Sequence, residues 1–416
     1  MRRRRRILML APGCDGNDVG ESWSCFQWVK GIAEQHDVTV LTLHRHRQQS
    51  LEEQLPNARV VQWADLRLPE VFERFQCMAK PGYLRFYNRA KSWMAKALKS
   101  GEQFDLVHQV GPLALRYASP AASFPWPLVI GPLAGSLRTP PGFEKECGRS
   151  SALYTRMRGV DSVRLRFDRA LRNSYEKASL VLGVAPYVET LLQGIRVRRF
   201  ELVSETGIRE LAPPTTQNTG DQVRLLYVGR LVRTKGLRDL IRAMGSLKDL
   251  HYVTLDVAGT GEDESFCRNE VERLGIEDRV FFHGQLTRGE VESLYRLTDV
   301  FVFPSFREPS GNVVFEAMRH GLPVITTDRG GPGFLVDEKS GVKLAANGPE
   351  QLARDLGETI RKLATTPALR MWYSQGARSR VAEVGLWSSK IKHMLGLYEE
   401  VLEQHASEAQ EVFHVG

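Results

Sequence analysis

The sequence predicts an α/β protein built from two doubly wound units in tandem. Short apolar runs recur along the 416 residues, separated by stretches with helical spacing. The pattern starts afresh after a polar, Pro- and Thr-bearing stretch, Leu211–Gly220. The length suits two domains, and 42% apolar residues are enough for two cores.

In the first half, Ile7–Leu10, Val38–Leu43, Arg59–Gln62, Leu106–His108, Leu128–Ile130 and Leu180–Val184 read as short buried strands. In the second, Leu225–Val228, Val253–Val257, Val280–Phe282, Val300–Phe303 and Val324–Thr326 read the same way. Helical periodicity lies between them, as in Leu237–Leu247 and Arg288–Leu297. A linker is placed near residues 205–222. A last helix, about Trp387 to Gln404, carries Ile391, Met394, Leu395, Tyr398 and Leu402 at helical spacing.

Charge is divided between the halves. Residues 1–210 hold 32 Lys and Arg against 21 Asp and Glu, a net of +11, and the remainder is at −3. A basic half suits an anionic membrane surface or an anionic acceptor. No nucleic-acid module is recognisable, so nucleic acid is not expected as a partner. Cys14, Cys25, Cys77, Cys147 and Cys267 are scattered and odd in number, which suggests no disulfide framework and no zinc site. Arg2–Arg6 resembles the head of a signal peptide, but the apolar run Ile7–Pro12 is too short for one and reads as the first strand. The expected location is the cytoplasm.

The densest chemistry follows Val300–Phe303. Pro309 keeps Glu308 out of helical geometry, Ser310 can cap a helix, and Gly311 admits close backbone approach. Glu316 lies one turn into that helix. Both carboxylates therefore lie beyond the carboxyl end of a strand, where open α/β sheets bind ligands. Amides of Ser310, Gly311, Asn312 and Val313 suit a phosphate, and the carboxylates can accept bonds from sugar hydroxyls. A second strand-to-helix loop offers Arg230 and Lys235 between Gly229 and Gly236. Arg gives a planar fork for phosphate and Lys a compact charge. Arg233, between them, is assigned to the surface. Near the N-terminus, Gly16 and Gly20 let a loop's backbone face donor phosphates or an acceptor, but its acids, Asp15, Asp18 and Glu21, are unusual for a phosphate cradle and suit acceptor hydroxyls instead.

These landmarks resemble, in order, those of family-4-type glycosyltransferases with the GT-B fold. The resemblance rests on the Glu308–Gly311–Glu316 spacing, the Gly229-Arg230 to Lys235-Gly236 segment, the Gly16–Gly20 loop, Asp105-Leu106-Val107-His108 and the helix from Trp387. It implies two Rossmann-like doubly wound domains facing a cleft. An N-terminal domain over 1–205 would bind the acceptor. A C-terminal domain over 206–385 would bind the nucleotide sugar, and residues 386–416 would cross back to the first domain. By resemblance, Glu316 holds the ribose, Glu308 bonds sugar hydroxyls near the reacting centre, and His108 lies near the donor sugar. His108 lacks the second histidine that the family often has two positions on; Val110 stands there. The base is expected against Phe282-His283-Gly284.

The resemblance further implies transfer with retention of anomeric configuration, to a glycan or lipid-linked acceptor in surface polysaccharide or glycolipid assembly. No Asp-x-Asp metal motif is evident, so neither metal nor cofactor is expected, Arg230 and Lys235 neutralising the leaving diphosphate. A nucleotide-sugar epimerase of the same fold and a non-catalytic sugar-nucleotide-binding subunit are the alternatives. Leu66–Leu98 and Arg156–Lys177 mix basic with aromatic or apolar residues. Such segments suit the inner face of a membrane, although an amphipathic core helix is the commoner case.

Overall fold

The computed structural model describes residues 3–44, 49–66, 80–147, 161, 163–213 and 222–415. Its strands form two all-parallel sheets. The first holds β1 (Arg6–Leu10), β2 (Asp37–His44), β3 (Ala58–Ala64), β4 (Leu106–Gln109), β5 (Leu128–Leu133), β6 (Leu180–Gly183) and β7 (Phe200–Leu202), in the order β3-β2-β1-β4-β5-β6-β7. The second holds β8 (Val223–Val228), β9 (Val253–Ala258), β10 (Val280–Gly284), β11 (Val300–Phe303), β12 (Val324–Thr327) and β13 (Gly341–Leu344), in the order β10-β9-β8-β11-β12-β13. Strands buried on both faces need continuous apolar runs. Ile7–Leu10 and Val300–Val302 supply them, with no solvent exposure at all.

Both sheets reverse direction beside their first strand. The switch points are β1/β4 and β8/β11, which leave a crevice at the carboxyl ends of those strands. In the second sheet the two loops that open there are Gly229–Gly236 and Pro304–Gly311. Helix Asn312–Arg319 follows the latter, with Gly311 as N-cap at φ 87°, a conformation that glycine adopts without strain. The capping role expected of Ser310 is not observed. The helix closes with amides of Gly321 and Leu322 returning to Met318 and Ala317, and Gly321 at φ 74°.

The chain divides into two compact units that are not contiguous in sequence. Unit 1 comprises Met1–Ser136, Arg158–Glu205 and Lys390–Gly416; unit 2 comprises Leu137–Met157 and Thr206–Ser389. The segment Leu137–Met157 groups with unit 2 because Phe143 enters that unit's core, stacked on Phe306 at 4.1 Å. The linker expected near 205–222 is partly packed: Ile208 pairs with Gly385 and Trp387, and Ala212 bonds Arg319. Its residues 214–221 lie outside the described residues. Helix Trp387–Val415 is longer than the sequence suggested, and from Lys390 onward it counts with unit 1. Met394, Leu397, Tyr398 and Val401 are buried there.

Among the described residues, no helix is long and apolar enough to cross a membrane, and no three His, Cys, Asp or Glu side chains are placed to hold a metal. Cys14, Cys25, Cys147 and Cys267 are free thiols, and Cys77 lies outside the described residues. Of the basic aromatic segment Leu66–Leu98, residues 67–79 lie outside as well. Its helix Tyr83–Lys99 buries Tyr83, Phe86, Ala90, Met94 and Ala97 and turns Arg85, Lys91 and Lys96 to solvent. That is an amphipathic core helix with a basic outer face. From Arg156–Lys177, helix Arg169–Lys177 is described and buries Leu171, Ser174 and Tyr175.

Candidate functional site

In unit 2 the two switch-point loops are locked together. Ser305 Oγ donates to the Thr234 carbonyl at 3.0 Å, and Thr327 Oγ1 donates to the Ser305 carbonyl at 2.6 Å. Gly236 has φ 80°, and a Cβ there would strike the Pro304 carbonyl oxygen. This packing brings Lys235 and Glu308 into direct contact, Lys235 Nζ donating to Glu308 Oε2. The other oxygen, Glu308 Oε1, accepts from the Ser310 amide at 3.3 Å. Two residues 73 positions apart in sequence thus form one cation–carboxylate pair at the crevice. Arg230 is exposed beside Gly229, in the same loop.

Glu316 is mostly buried, on the first turns of its helix. Burial raises its carboxyl above the ordinary range, opposed by the Arg288 charge and the Tyr295 hydroxyl. Asn312 Nδ2 donates to Glu316 Oε1 at 2.9 Å, and the Tyr295 hydroxyl donates to Oε2 at 3.4 Å. The first amides of this helix, including Asn312 and Val313, have no acceptor within the helix by its geometry. Gly311, Asn312 and Val313 therefore place donors, and Glu316 an acceptor, on one short stretch. The loop before them is pinned from behind. The Gly331 amide donates to the Glu308 carbonyl at 3.0 Å, and a Cβ on Gly331 would overlap the Ser310 carbonyl.

His283 is the last residue but one of β10, at the carboxyl edge of the same sheet. Its Nε2 lies 2.6 Å from Asp256 Oδ1, and the side chain is partly exposed.

Arg233 is not on the surface. Its side chain is 5% exposed and forks onto Asp239 at 2.7 and 2.9 Å, with a third bond to Glu146 at 2.7 Å. Its guanidinium lies 5.1 Å from the ring centres of both Phe143 and Phe306. Burial lowers its pKa, but Asp239 and Glu146 hold it above its ordinary value. A loop arginine gives little signal of this in sequence; the one clue was Asp239, six positions on, which the structure shows fully buried. Tyr295 was equally hidden, as one more inward residue of a helix.

Unit 1 places its residues differently from the sequence reading. Gly16 is a close-packed turn: a Cβ would meet the Phe26 ring at 2.7 Å, and its amide already donates to Gln54 Oε1 at 2.8 Å. That amide is therefore not available to a ligand. Gly20 caps helix Glu21–Ala33 at φ 63°, with open space around it. Glu21 receives Lys80 Nζ and the Leu113 amide.

His108 is fully buried. Its Nε2 lies 2.7 Å from the Gly131 carbonyl and its Nδ1 2.6 Å from the Tyr398 hydroxyl. A carbonyl only accepts, so Nε2 carries the proton and Nδ1 accepts from the phenol. Burial lowers its pKa to about 4, against a smaller upward pull from the Gly131 bond. Both nitrogens have partners inside unit 1, which clamps β4 to the last helix.

Comparison with known proteins bears on the same residues. Residues 209–380, about two-fifths of the chain, match the family described as Glycosyl transferases group 1. D-inositol 3-phosphate glycosyltransferase of Thermobifida fusca is 29% identical over 60% of this chain and 59% of its own length. The chain spans about half the length of the curated relatives it matches. Sucrose-phosphate synthase of Thermosynechococcus elongatus superposes with a TM-score of 0.63 at 21% identity, covering 96% of this chain and 100% of the other. The Anabaena protein HepE, in complex with UDP and glucose, gives 0.58 at 18%, covering 95% and 100%.

The fold is GT-B.

The matched segment contains Arg230, Lys235, Glu308 and Glu316.

Proposed function

We propose that this protein is a retaining glycosyltransferase that moves a sugar from a nucleotide-sugar donor to a glycan or lipid-linked acceptor. The observation that carries the reading is the Lys235–Glu308 pair, formed at the switch-point crevice beside the helix that bears Glu316. Lys235 and Arg230 face the donor diphosphate and neutralise the charge that grows on it as the sugar leaves. The amides of Gly311, Asn312 and Val313 add donors at the positive end of a helix. Glu316, held by Asn312 and Tyr295, accepts from the ribose hydroxyls. Glu308 accepts from hydroxyls of the transferred sugar, and Lys235 holds its carboxylate in place. The base lies against Phe282, His283 and Gly284 at the end of β10. The HepE complex with UDP makes uracil the first base to try.

Retention on this reading needs no nucleophile from the protein. The acceptor attacks the face that the diphosphate leaves, and a phosphate oxygen takes its proton. The chain's own residues bind, orient and neutralise, without metal. The basic first half suits an anionic acceptor or an anionic membrane face, and the D-inositol 3-phosphate relative has a phosphorylated acceptor in its name. A cytoplasmic enzyme at the inner membrane face, serving surface polysaccharide or glycolipid assembly, fits these features.

The test is a thermal-shift screen against UDP-, GDP-, ADP- and dTDP-sugars without metal. A ligand bound only by the folded state raises the unfolding temperature by mass action. One donor family should raise it, and Glu316→Ala and Arg230→Ala should each abolish the rise. A wild-type protein that no donor stabilises, with chelator or with added magnesium, would sink the reading.

A further inference from the structure

We propose that the segment Leu137–Cys147 is a positioning strap for the donor diphosphate site, acting through Thr139, Phe143 and Glu146. The proposal rests on the donor-site reading above. This segment lies far from the site in sequence, yet its side chains land next to the pair that the site is built on. Thr139 Oγ1 accepts from Arg307, the neighbour of Glu308, at 2.9 Å. Phe143 stacks on Phe306, two residues before Glu308. Glu146 binds Arg233, two residues before Lys235, at 2.7 Å, and reaches Arg242 at 3.4 Å. The strap thus holds both the cation loop and the carboxylate loop.

Its own backbone is tied down as well. The Arg138 carbonyl accepts from Arg329 at 3.0 Å, and Arg329 also donates to the Phe306 carbonyl at 3.3 Å. Gly142 packs so closely on the Asn347 carbonyl that a Cβ would overlap it. Pro141–Glu146 is a short 3-10 helix, in which side chains three apart line up, so the Phe143 ring and the Glu146 carboxylate lie on one face. Burial would raise the Glu146 carboxyl, but Arg233 and Arg242 bring it below its ordinary range, so it is ionised when it meets Arg233.

The asymmetry of the Arg233 contacts gives the strap its character. Asp239 is fully buried and belongs to the helix after the cation loop, so that bond is internal to the loop and its helix. Glu146 is partly exposed and comes from a different part of the chain. Removing Asp239 would strand a buried charge. Removing Glu146 leaves Arg233 paired and the fold intact, and frees the loop to shift relative to Glu308.

Glu146→Gln and Thr139→Val are therefore the informative variants, titrated calorimetrically with UDP, GDP, ADP and dTDP and with the matching nucleosides. The strap acts on the diphosphate end, whereas ribose binding rests on Glu316. Each variant is expected to weaken the best diphosphate about tenfold, the loss of one well-aimed charged hydrogen bond. The matching nucleoside should bind as it does to wild type. Glu146→Asp should recover part of the loss. Wild-type diphosphate affinity in both variants would overturn the strap while leaving the donor site standing. Equal losses for nucleoside and diphosphate would also overturn it, since they indicate general loosening. A wild-type protein that binds none of the four diphosphates would overturn the donor-site reading, and the strap with it.

Discussion

Acidification should weaken the protein through His108, by an amount that the structure fixes. In the unfolded chain an imidazole takes its proton near pH 6.5, whereas folded His108 resists until about 4. Between those values the unfolded state holds more protons, so the free energy of unfolding falls as pH falls and levels off below about 4. The full shift is worth about 3 kcal/mol, and about 2 kcal/mol of it is already lost at pH 5. Other groups titrate in the same window, including His36 and His320, which burial also pushes down. Comparing wild type with His108→Gln removes them, because they are common to both. Urea unfolding followed by tryptophan fluorescence suits the purpose, since Trp23, Trp28, Trp63, Trp93 and Trp126 all lie in unit 1 with His108. The variant should be the less stable at about pH 7.5, having lost a tailored pair of buried hydrogen bonds. At about pH 5 the gap should narrow by about 2 kcal/mol. An unchanged gap would mean that His108 titrates as an exposed histidine does. The clamp between Gly131 and Tyr398 would then be wrong.

Three further outcomes follow from the same geometry. Glu308→Ala should abolish turnover while nucleotide affinity, measured by calorimetry, stays within about threefold of wild type, because Glu316 and the helix amides remain; equal losses of both would deny Glu308 a role in the chemical step. Gly331→Ala should lose donor binding with little loss of fold, since its methyl group would push the Ser310 carbonyl out of place; a crystal structure or donor titration matching wild type would refute this. Lys390 is fully buried near Glu205, and burial brings its pKa down to about 7 against the upward pull of Glu205. The unfolded chain keeps that proton up to about pH 10, so Lys390 should make stability rise from about pH 7 to 10. Stability curves for wild type and Lys390→Met should diverge over that range, and parallel curves would contradict the burial.

The strands and the site were legible in sequence to different depths. Eleven runs named all nine interior strands and the edge strands β3 and β10; an interior parallel strand buried on both faces admits little but apolar residues. The other two edge strands, β7 with Phe200–Leu202 and β13 with Gly341–Leu344, escaped because short half-covered strands carry mixed residues. Glu308, Glu316, Arg230 and Lys235 were legible because each follows a strand at a glycine-bearing turn. What joined them was not. Nothing in the spacing says that Lys235 meets Glu308, that Tyr295 and Asn312 hold Glu316, or that Glu146 reaches Arg233 from far upstream. Those pairings are set by sheet order and loop packing, which act through space. Nor does the strand-end position of His108 show that its ring meets the Tyr398 hydroxyl of the last helix.

The last helix also has a consequence for how the protein is made. Its Met394, Leu397, Tyr398 and Val401 are part of the buried interior of unit 1, yet they leave the ribosome after the whole of unit 2. The nascent first unit must wait through residues 206–389 with one flank of its interior uncovered, including the place where Tyr398 meets His108. Domains otherwise tend to fold as they emerge, and uncovered apolar surface is what chaperones bind and what drives aggregation. For this chain, the order of synthesis and the order of completion are reversed: the half translated first is the half finished last.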